Sequence, residues 1–423
     1  MLFLISRLKK EKQFSLKSEG ESMLPILQPN DIVFFKKTNF ARLKINDIVL
    51  VYKNKTGFTH RIIYKNRLHI ITKGDNNLQS DGSVYPKQIL ARVYQIKRGG
   101  EIFHPDRLYL LQSTFYFQEI VRIKQSFEKN GIDFVFLKGL PLHLYYEGSH
   151  PRRIYADCDI LVNKKFKKKV ASILEKFHYK TSVPSHYKDF QKFIGKELQE
   201  ITYFKYVNQL PVLFEIHFNV KIMARNLKIP FPSLKKDLNA ITHEFLSHKQ
   251  MVKIHQSKFP ILGLNDLILY LLIHFFADGL SGIHKLLLIK SIVNSKNKSS
   301  LDWGKIMIQA KKYGMLRFII PGIYFMKVYF HINTPLWILK KNYPNDFFYT
   351  MAILGALYGN IDIFNSRFVW QQRVRKAALI FFLYRDNALK KAFSLLQPQL
   401  LLHLFYFVFQ SLKKQLKTDK KNS

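Results

Sequence analysis

The sequence predicts a multidomain fold: a small all-β domain over residues 1–99, an α/β (α+β) domain over 100–250, and an α-helical C-terminal extension over 251–423. Three observations predict it. The first hundred residues are short apolar bursts separated by turn signals. Near residue 100 the pattern changes to one long helical spacing followed by a compact apolar run. From about residue 261 long helical patterns dominate with little strand signal. A length of 423 residues agrees, since ~100–200 residues per domain make two or three domains the expectation.

The strands expected in the first part are Asp31–Lys36, Asp47–Tyr52, His60–Tyr64, Leu68–Thr72 and Ile89–Ile96, with turns at Pro29-Asn30, Asn54–Gly57, Lys65-Asn66 and Asp81-Gly82. Apolar, β-branched runs bounded by Gly, Asn, Asp and Pro carry that reading. Arg107–Asn130 has helical spacing, Gly131 ends it, and Ile132–Leu137 reads as a buried strand. No internal repeat is visible.

Lys and Arg number 68 against 29 Asp and Glu, a formal charge of +39, yet 47% of the residues are hydrophobic and 15% aromatic. That apolar content excludes intrinsic disorder. The charge by itself does not choose between a phosphate-binding face, anionic lipid and a generally basic surface. Lys164–Lys169 follows an apolar run directly, but a helix face explains it as well as nucleic acid does, so nucleic acid is not specifically supported. The single cysteine, Cys158, excludes an intramolecular disulfide framework and a cysteine-cluster zinc site.

Met1–Ile5 is too short for a secretory signal, and its basic residues follow it instead of preceding it. The longest apolar runs, Leu267–Ala277 and Leu400–Phe409, fall short of the ~20 residues of a spanning helix. A cytoplasmic protein is expected. Leu400–Phe409 beside Lys413, Lys414, Lys417, Lys420 and Lys421 is a candidate peripheral contact with the inner membrane face; the competing reading is a core helix with a solvated basic tail.

Two constellations carry chemistry. The first is Glu19-Gly20-Glu21-Ser22-Met23-Leu24-Pro25, then Thr59-His60-Arg61-Ile62, then Thr72-Lys73-Gly74-Asp75-Asn76-Asn77, with Asp81 beyond. A nucleophilic serine needs a base for its proton, and an imidazole needs a carboxylate to fix its tautomer. Singly, each piece is an ordinary turn or edge-strand residue. In order, Ser-Met-x-Pro, the repeated Asn-Asp-Ile-Val (30–33 and 46–49), His-Arg-Ile and Lys-Gly-Asp-Asn-Asn resemble the signal peptidase I family over roughly residues 15–97. His60 stands where the bacterial form of that family has a lysine, so the sequence resembles the Ser-His-Asp form. The resemblance implies Ser22 as nucleophile, His60 as general base, and Asp81 and Asp75 as the family's two aspartates, with Asp81 the orienting carboxylate and Asp75 shaping the turn. With Gly20 two residues before it, the Ser22 backbone N–H would carry oxyanion stabilisation. Such peptidases are anchored by a spanning helix, and here only Met1–Ser6 precedes the domain. Substrate is therefore expected to arrive without a bilayer, or another part of the chain to supply attachment.

The second constellation is Phe134–Gly139, Arg153–Val162 and Val212–Phe218. Asp157 and Asp159, two apart on a strand, point to one face and Cys158 to the other. Glu215 lies in another apolar run. Three carboxylates converging from buried strands need a neutralising cation, and oxygen ligands suit Mg²⁺. Solvent-facing edge charges are the plain alternative for Asp157 and Asp159. A strand ending in Lys138-Gly139 favours the site, because glycine lets backbone amides approach a phosphate. The pattern resembles the nucleotidyltransferase superfamily. Leu-Lys-Gly-x-x-Leu (137–142), Arg-x-x-x-Asp-x-Asp-x-Leu-Val (153–162) and Glu-x-His (215–217) resemble its uncharacterised bacterial branch over about residues 105–330. That resemblance implies Asp157, Asp159 and Glu215 as metal ligands, Lys138 and Gly139 on the triphosphate, and Arg153 or His217 on phosphate or acceptor. Leu140 stands where the superfamily often has a serine, leaving Lys138 to substitute electrostatically.

The expectation is a bifunctional enzyme: a serine endopeptidase cutting a peptide or precursor protein, and a Mg²⁺-dependent transfer of a nucleoside monophosphate from a nucleoside triphosphate to an acceptor. The competing class is a non-catalytic nucleotide sensor joined to a peptide-binding module. A self-cleaving repressor fits less well, because such proteins pair Ser with Lys and carry a DNA-binding helical domain.

Overall fold

The structure, a computed structural model, describes residues 11–77, 79–155, 157–181, 200–207, 210–220, 238–277, 280, 283–295 and 301–332. The first sheet is built from β1 (Gln13–Lys17), β2 (Ile32–Lys36), β3 (Ile48–Lys53), β4 (Thr56–Lys65), β5 (Ile70–Lys73), β6 (Ser83–Val84), β7 (Ile89–Arg98) and β8 (Glu101–Phe103). Its order is β1-β2-β7-β3-β4-β5-β6, with β8 on β7. Strand β3 is buried on both faces: Ile48 and Leu50 join a cluster with Met23, Ile26, Leu27, Val33 and Phe35, while Val49 and Val51 join Leu43, Ile62, Ile70 and Val84. Side-chain alternation along one strand thus serves two cores. β1, β6 and β8 lie outside the strand runs expected from sequence.

The repeated Asn-Asp-Ile-Val has one structural meaning at both places. Asn30 and Asn46 take left-handed backbone (φ 73° and 76°), which Asn tolerates better than other side-chain-bearing residues. The following aspartates accept from the backbone three residues earlier: Gln28 N–H to Asp31 Oδ2 and Lys44 N–H to Asp47 Oδ2, both at 2.8 Å. Asp31 then pairs with Arg98, and Asp47 with Arg92 and Arg152.

The second sheet contains β9 (Phe134–Lys138), β10 (Asp157–Val162), β11 (Lys180–Thr181), β12 (Glu200–Val207), β13 (Leu210–His217), β14 (Lys249–Ile254) and β15 (Ser257–Leu262), in the order β11-β12-β13-β10-β9-β15-β14. Helix α1 (Pro105–Lys129) starts two residues before the expected Arg107, because Pro105 fits the first helical position and His104 Nδ1 accepts from Asp106 N–H. It buries Tyr109, Gln112, Tyr116, Ile120, Ile123 and Phe127, spaced by three or four. Helices α2 (Leu140–Glu147), α3 (Lys167–Lys176) and α4 (Leu238–Ser247) follow, then α5 (Leu264–Ala277), α6 (Ile283–Asn294), α7 (Trp303–Lys312) and α8 (Leu316–Phe330).

The chain forms two compact units. The first spans residues 1–219, 242–263 and 295–297 and holds both sheets; the second takes the remainder, and its described part is helical. The helical extension expected from residue 251 begins instead at Leu264, because hairpin β14–β15 continues the second sheet through parallel pairing of β15 with β9. The apolar run Phe259–Leu262 is buried there. The candidate membrane-contact segment Leu400–Phe409 and its lysines lie outside the described residues. Among the described residues no helix is long and apolar enough to cross a membrane.

Candidate active sites

Ser22 lies in a turn following β1, and His60 is on β4 with 6% of its surface exposed. The structure brings them together: Ser22 Oγ is 3.0 Å from His60 Nε2, and His60 Nδ1 is 2.8 Å from Asp81 Oδ2. A carboxylate accepts only, so Nδ1 carries the proton and Nε2 is left to accept from the serine hydroxyl. Asp81 is fixed three ways. Thr72 Oγ1 donates to its Oδ2 at 2.7 Å, its backbone N–H donates to Thr72 O, and Lys53 Nζ holds its carbonyl at 2.6 Å.

Asp75 stands elsewhere. It forms a two-pronged ion pair with Arg61, Nε to Oδ1 at 2.6 Å and Nη2 to Oδ2. Arg61 is buried, lies 4.5 Å over the Tyr109 ring, and donates through Nη1 to the carbonyls of Asn46 (3.2 Å) and Arg152 (3.0 Å). Burial opposes the charged guanidinium, but Asp75 more than offsets it, so Arg61 holds its proton more tightly than usual. The sequence expectation of Asp75 as a turn residue therefore becomes an ion-pair partner for the residue beside His60. The turn itself depends on Gly74, where a Cβ would sit 2.6 Å from the Ser22 carbonyl oxygen. That close approach lets Asn76 N–H reach Ser22 O at 2.8 Å and Asn76 Nδ2 reach Glu21 O. Nothing in the sequence beyond their residue types marks Thr72 and Lys53 as supports of Asp81.

The second constellation is assembled by strand register. β10 and β13 run parallel with Asp159 opposite Glu215, and β9 runs antiparallel to β10 with Lys138 opposite Asp159. Cys158 is fully buried on the opposite face, and burial pushes its thiol pKa up. Asp159 is fully buried, while the Asp157 side chain is 44% exposed. One ammonium serves both: Lys138 Nζ is 3.0 Å from Asp159 Oδ2 and 3.4 Å from Asp157 Oδ2. Gly139 follows with φ 107°, and a Cβ there would meet Asp157 O and Cys158 Cα at 3.1 Å. Only glycine lets the chain turn into α2 this close to the Asp-x-Asp strand.

His217 is buried as well, with Nε2 2.8 Å from Asp159 Oδ1 and Nδ1 3.5 Å from Glu200 Oε2 on β12. It thus contacts a carboxylate of the site, where the sequence suggested phosphate or acceptor. Arg153 likewise lies on Tyr155, donating to its hydroxyl at 2.5 Å and packing 4.2 Å over its ring. Sequence reasoning missed Glu200, whose place depends on the β12–β13 register of Glu200 opposite His217.

The electrostatics fit a cation. Burial would raise the Asp159 pKa, but Lys138 and His217 together pull it well below the usual carboxylate range. Burial, with Asp159 nearby, pushes Glu215 the other way, so its carboxyl holds its proton more tightly than an ordinary glutamate. One lysine leaves the group of carboxylates short of positive charge. Ligand atoms of Asp159, Glu215 and His217 lie within 4.8 Å of one another, a donor set able to hold a divalent metal ion; Asp157, expected as a ligand from the sequence, is outside that set and is tied to it through Lys138.

No curated protein matches the chain. Among solved structures, an antigenic nucleotidyltransferase-like protein from Paracoccidioides brasiliensis aligns at 13% identity over 54% of this chain and 98% of its own, with a TM-score of 0.28; a likeness that distant carries no structural argument. A family profile described as "Uncharacterised nucleotidyltransferase" matches residues 107–331, from α1 to just beyond α8 and therefore across β9, β10 and β13. With just over half of its 423 residues matched, the chain belongs to this nucleotidyltransferase family.

Proposed function

We propose that the family domain transfers a nucleoside monophosphate from a nucleoside triphosphate to an acceptor hydroxyl, with Mg²⁺ held by Asp157, Asp159 and Glu215. The register that sets Asp159 beside Glu215 and across from Lys138 carries this reading. The cation would neutralise phosphate charge and favour the attacking and leaving oxygens of an in-line displacement. His217 holds Asp159 in one orientation through Oδ1. Lys138 and the Gly139 turn supply positive charge and close backbone approach for the triphosphate. As the acceptor hydroxyl attacks the α-phosphorus and the bond to pyrophosphate breaks, its proton passes to solvent water at the open side of the site, where the Asp157 side chain is 44% exposed. Purified protein with Mg²⁺ and each of the four nucleoside triphosphates is expected to release pyrophosphate, and Asp157→Ala to lower that release by roughly 10²-fold or more. Release from no nucleotide, or equal release by the variant, overturns the reading and favours a nucleotide sensor.

The hydrogen-bonded sequence Ser22–His60–Asp81 favours a second activity, serine endopeptidase chemistry of the signal peptidase kind. His60 Nε2 takes the Ser22 proton as Oγ attacks the scissile carbonyl carbon, then returns it to the leaving amine; water releases the acyl group. A panel of leader-type peptides, read by mass spectrometry, is expected to contain one that is cut, with Ser22→Ala slower by ~10⁶-fold. Cleavage at the wild-type rate by that variant removes the serine from the mechanism, and no cleavage of any peptide leaves a peptide-binding module.

A further inference from the structure

Lys138 occupies the place where a cation on the two aspartates would go. Its ammonium is 3.0 Å from Asp159 Oδ2 and 3.4 Å from Asp157 Oδ2, and its side chain is 15% exposed. The other Asp159 oxygen is taken by His217 Nε2 at 2.8 Å. Asp159 is itself fully buried, so an incoming ion meets Oδ2 already covered by a positive charge. A divalent ion needs such oxygens at ~2.0–2.6 Å, and two cations cannot share one carboxylate oxygen in a dry site without strong repulsion. A lysine suits a temporary occupant: it is a compact charge on a flexible four-carbon stem. The same residue ends β9 and precedes the glycine turn into α2, the side from which phosphates are expected.

Resting on the nucleotidyltransferase reading above, we propose that Lys138 is the resident counter-ion of the Asp157–Asp159 pair, and that a divalent cation binds by displacing its ammonium onto the triphosphate. Metal alone then binds weakly, because the displaced lysine has no anion to receive it. Nucleotide supplies that anion, so metal and triphosphate tighten one another's binding. Removing the lysine charge has opposite effects on the two ligands: the metal binds better and the nucleotide worse.

The experiment is Mn²⁺ binding to the full chain without nucleotide, read by electron paramagnetic resonance of the free ion, for wild type, Lys138→Met, Lys138→Arg and Asp159→Asn. Lys138→Met is expected to bind Mn²⁺ ~10-fold tighter than wild type, within the usual span of coupling between sites. Lys138→Arg, which keeps the charge, gains nothing, and Asp159→Asn loses the site. Far-UV circular dichroism checks folding, and Lys138→Gln replaces the methionine variant if that one does not fold. If wild type binds and the neutral variant binds equally or more weakly, the displacement idea is wrong while the metal site stands. If neither wild type nor the neutral variant binds, or Asp159→Asn binds as wild type does, the metal-site reading falls and takes this inference with it.

Discussion

The two constellations differ in what they lack. At Ser22 each side chain answers to the next: serine to imidazole, imidazole to Asp81, and Asp81 to Thr72. Around Asp159, Lys138 spans two carboxylates, and Glu215 keeps its proton because burial and a neighbouring charge oppose its ionisation. A site that moves a proton among its own groups can be complete in the protein alone, whereas a site for a polyanion and its counter-ion is built with charges missing. The contrast explains why hydrogen-bond geometry identifies the first arrangement and imbalance identifies the second.

The contrast can be broken most sharply at Asp81. Asp81→Asn keeps the shape but offers His60 Nδ1 a donor in place of an acceptor, and peptide cleavage is expected to fall by ~10⁴-fold while pyrophosphate release is unchanged. A cleavage rate within a few-fold of wild type would show that the carboxylate does not set the imidazole's tautomer. The sharper distinction is with Asp75, only six residues away. Asp75→Asn leaves the buried Arg61 charge without its carboxylate, and the expected effect is a loss of stability of ~3–5 kcal/mol in urea unfolding. Equal stability there, with cleavage lost, would move Asp75 into the catalytic group.

The smallest expected effect concerns Glu119 on α1, which accepts from the Tyr179 hydroxyl at 2.8 Å and pairs with Lys205. Burial alone would raise its pKa, but Lys205 and Tyr179 hold it below the ordinary carboxylate value. A carboxyl whose folded pKa is lowered gives stability that is present above the unfolded pKa of ~4.3 and is lost as pH falls through the folded value. Glu119→Gln removes that dependence, so its thermal midpoint is expected to fall less than that of wild type between about pH 5 and pH 3. Parallel acid profiles would deny the pair any part in holding α1 to β12.

Much of this was legible in the residues because the chemistry restricts them. Serine, histidine and aspartate in hydrogen-bonding roles leave few candidates, and Asp-x-Asp on an apolar strand has one way to face a neighbour. The long helix read well because Tyr109, Tyr116, Ile120, Ile123 and Phe127 repeat at its period. The rest depended on register between distant segments. Nothing local in Lys249–Leu262 says that its hairpin adds to the sheet beside β9, and nothing near Glu200 says that it will face His217. Arg61 reading the carbonyl of Arg152, 91 positions later, is invisible in either segment.

That last contact makes the amino-terminal sheet a poor candidate for transplantation. The residue beside His60 keeps its buried charge by leaning on Tyr109 and on the carbonyl of Arg152, both beyond the strands of its own sheet. Arg152 in turn grips Asp47 and Asp106. A cut at residue 99 would therefore divide one polar keystone between two fragments. Any chimera that borrows Ser22, His60 and Asp81 must carry Tyr109 and the stretch before Asp157 along with them.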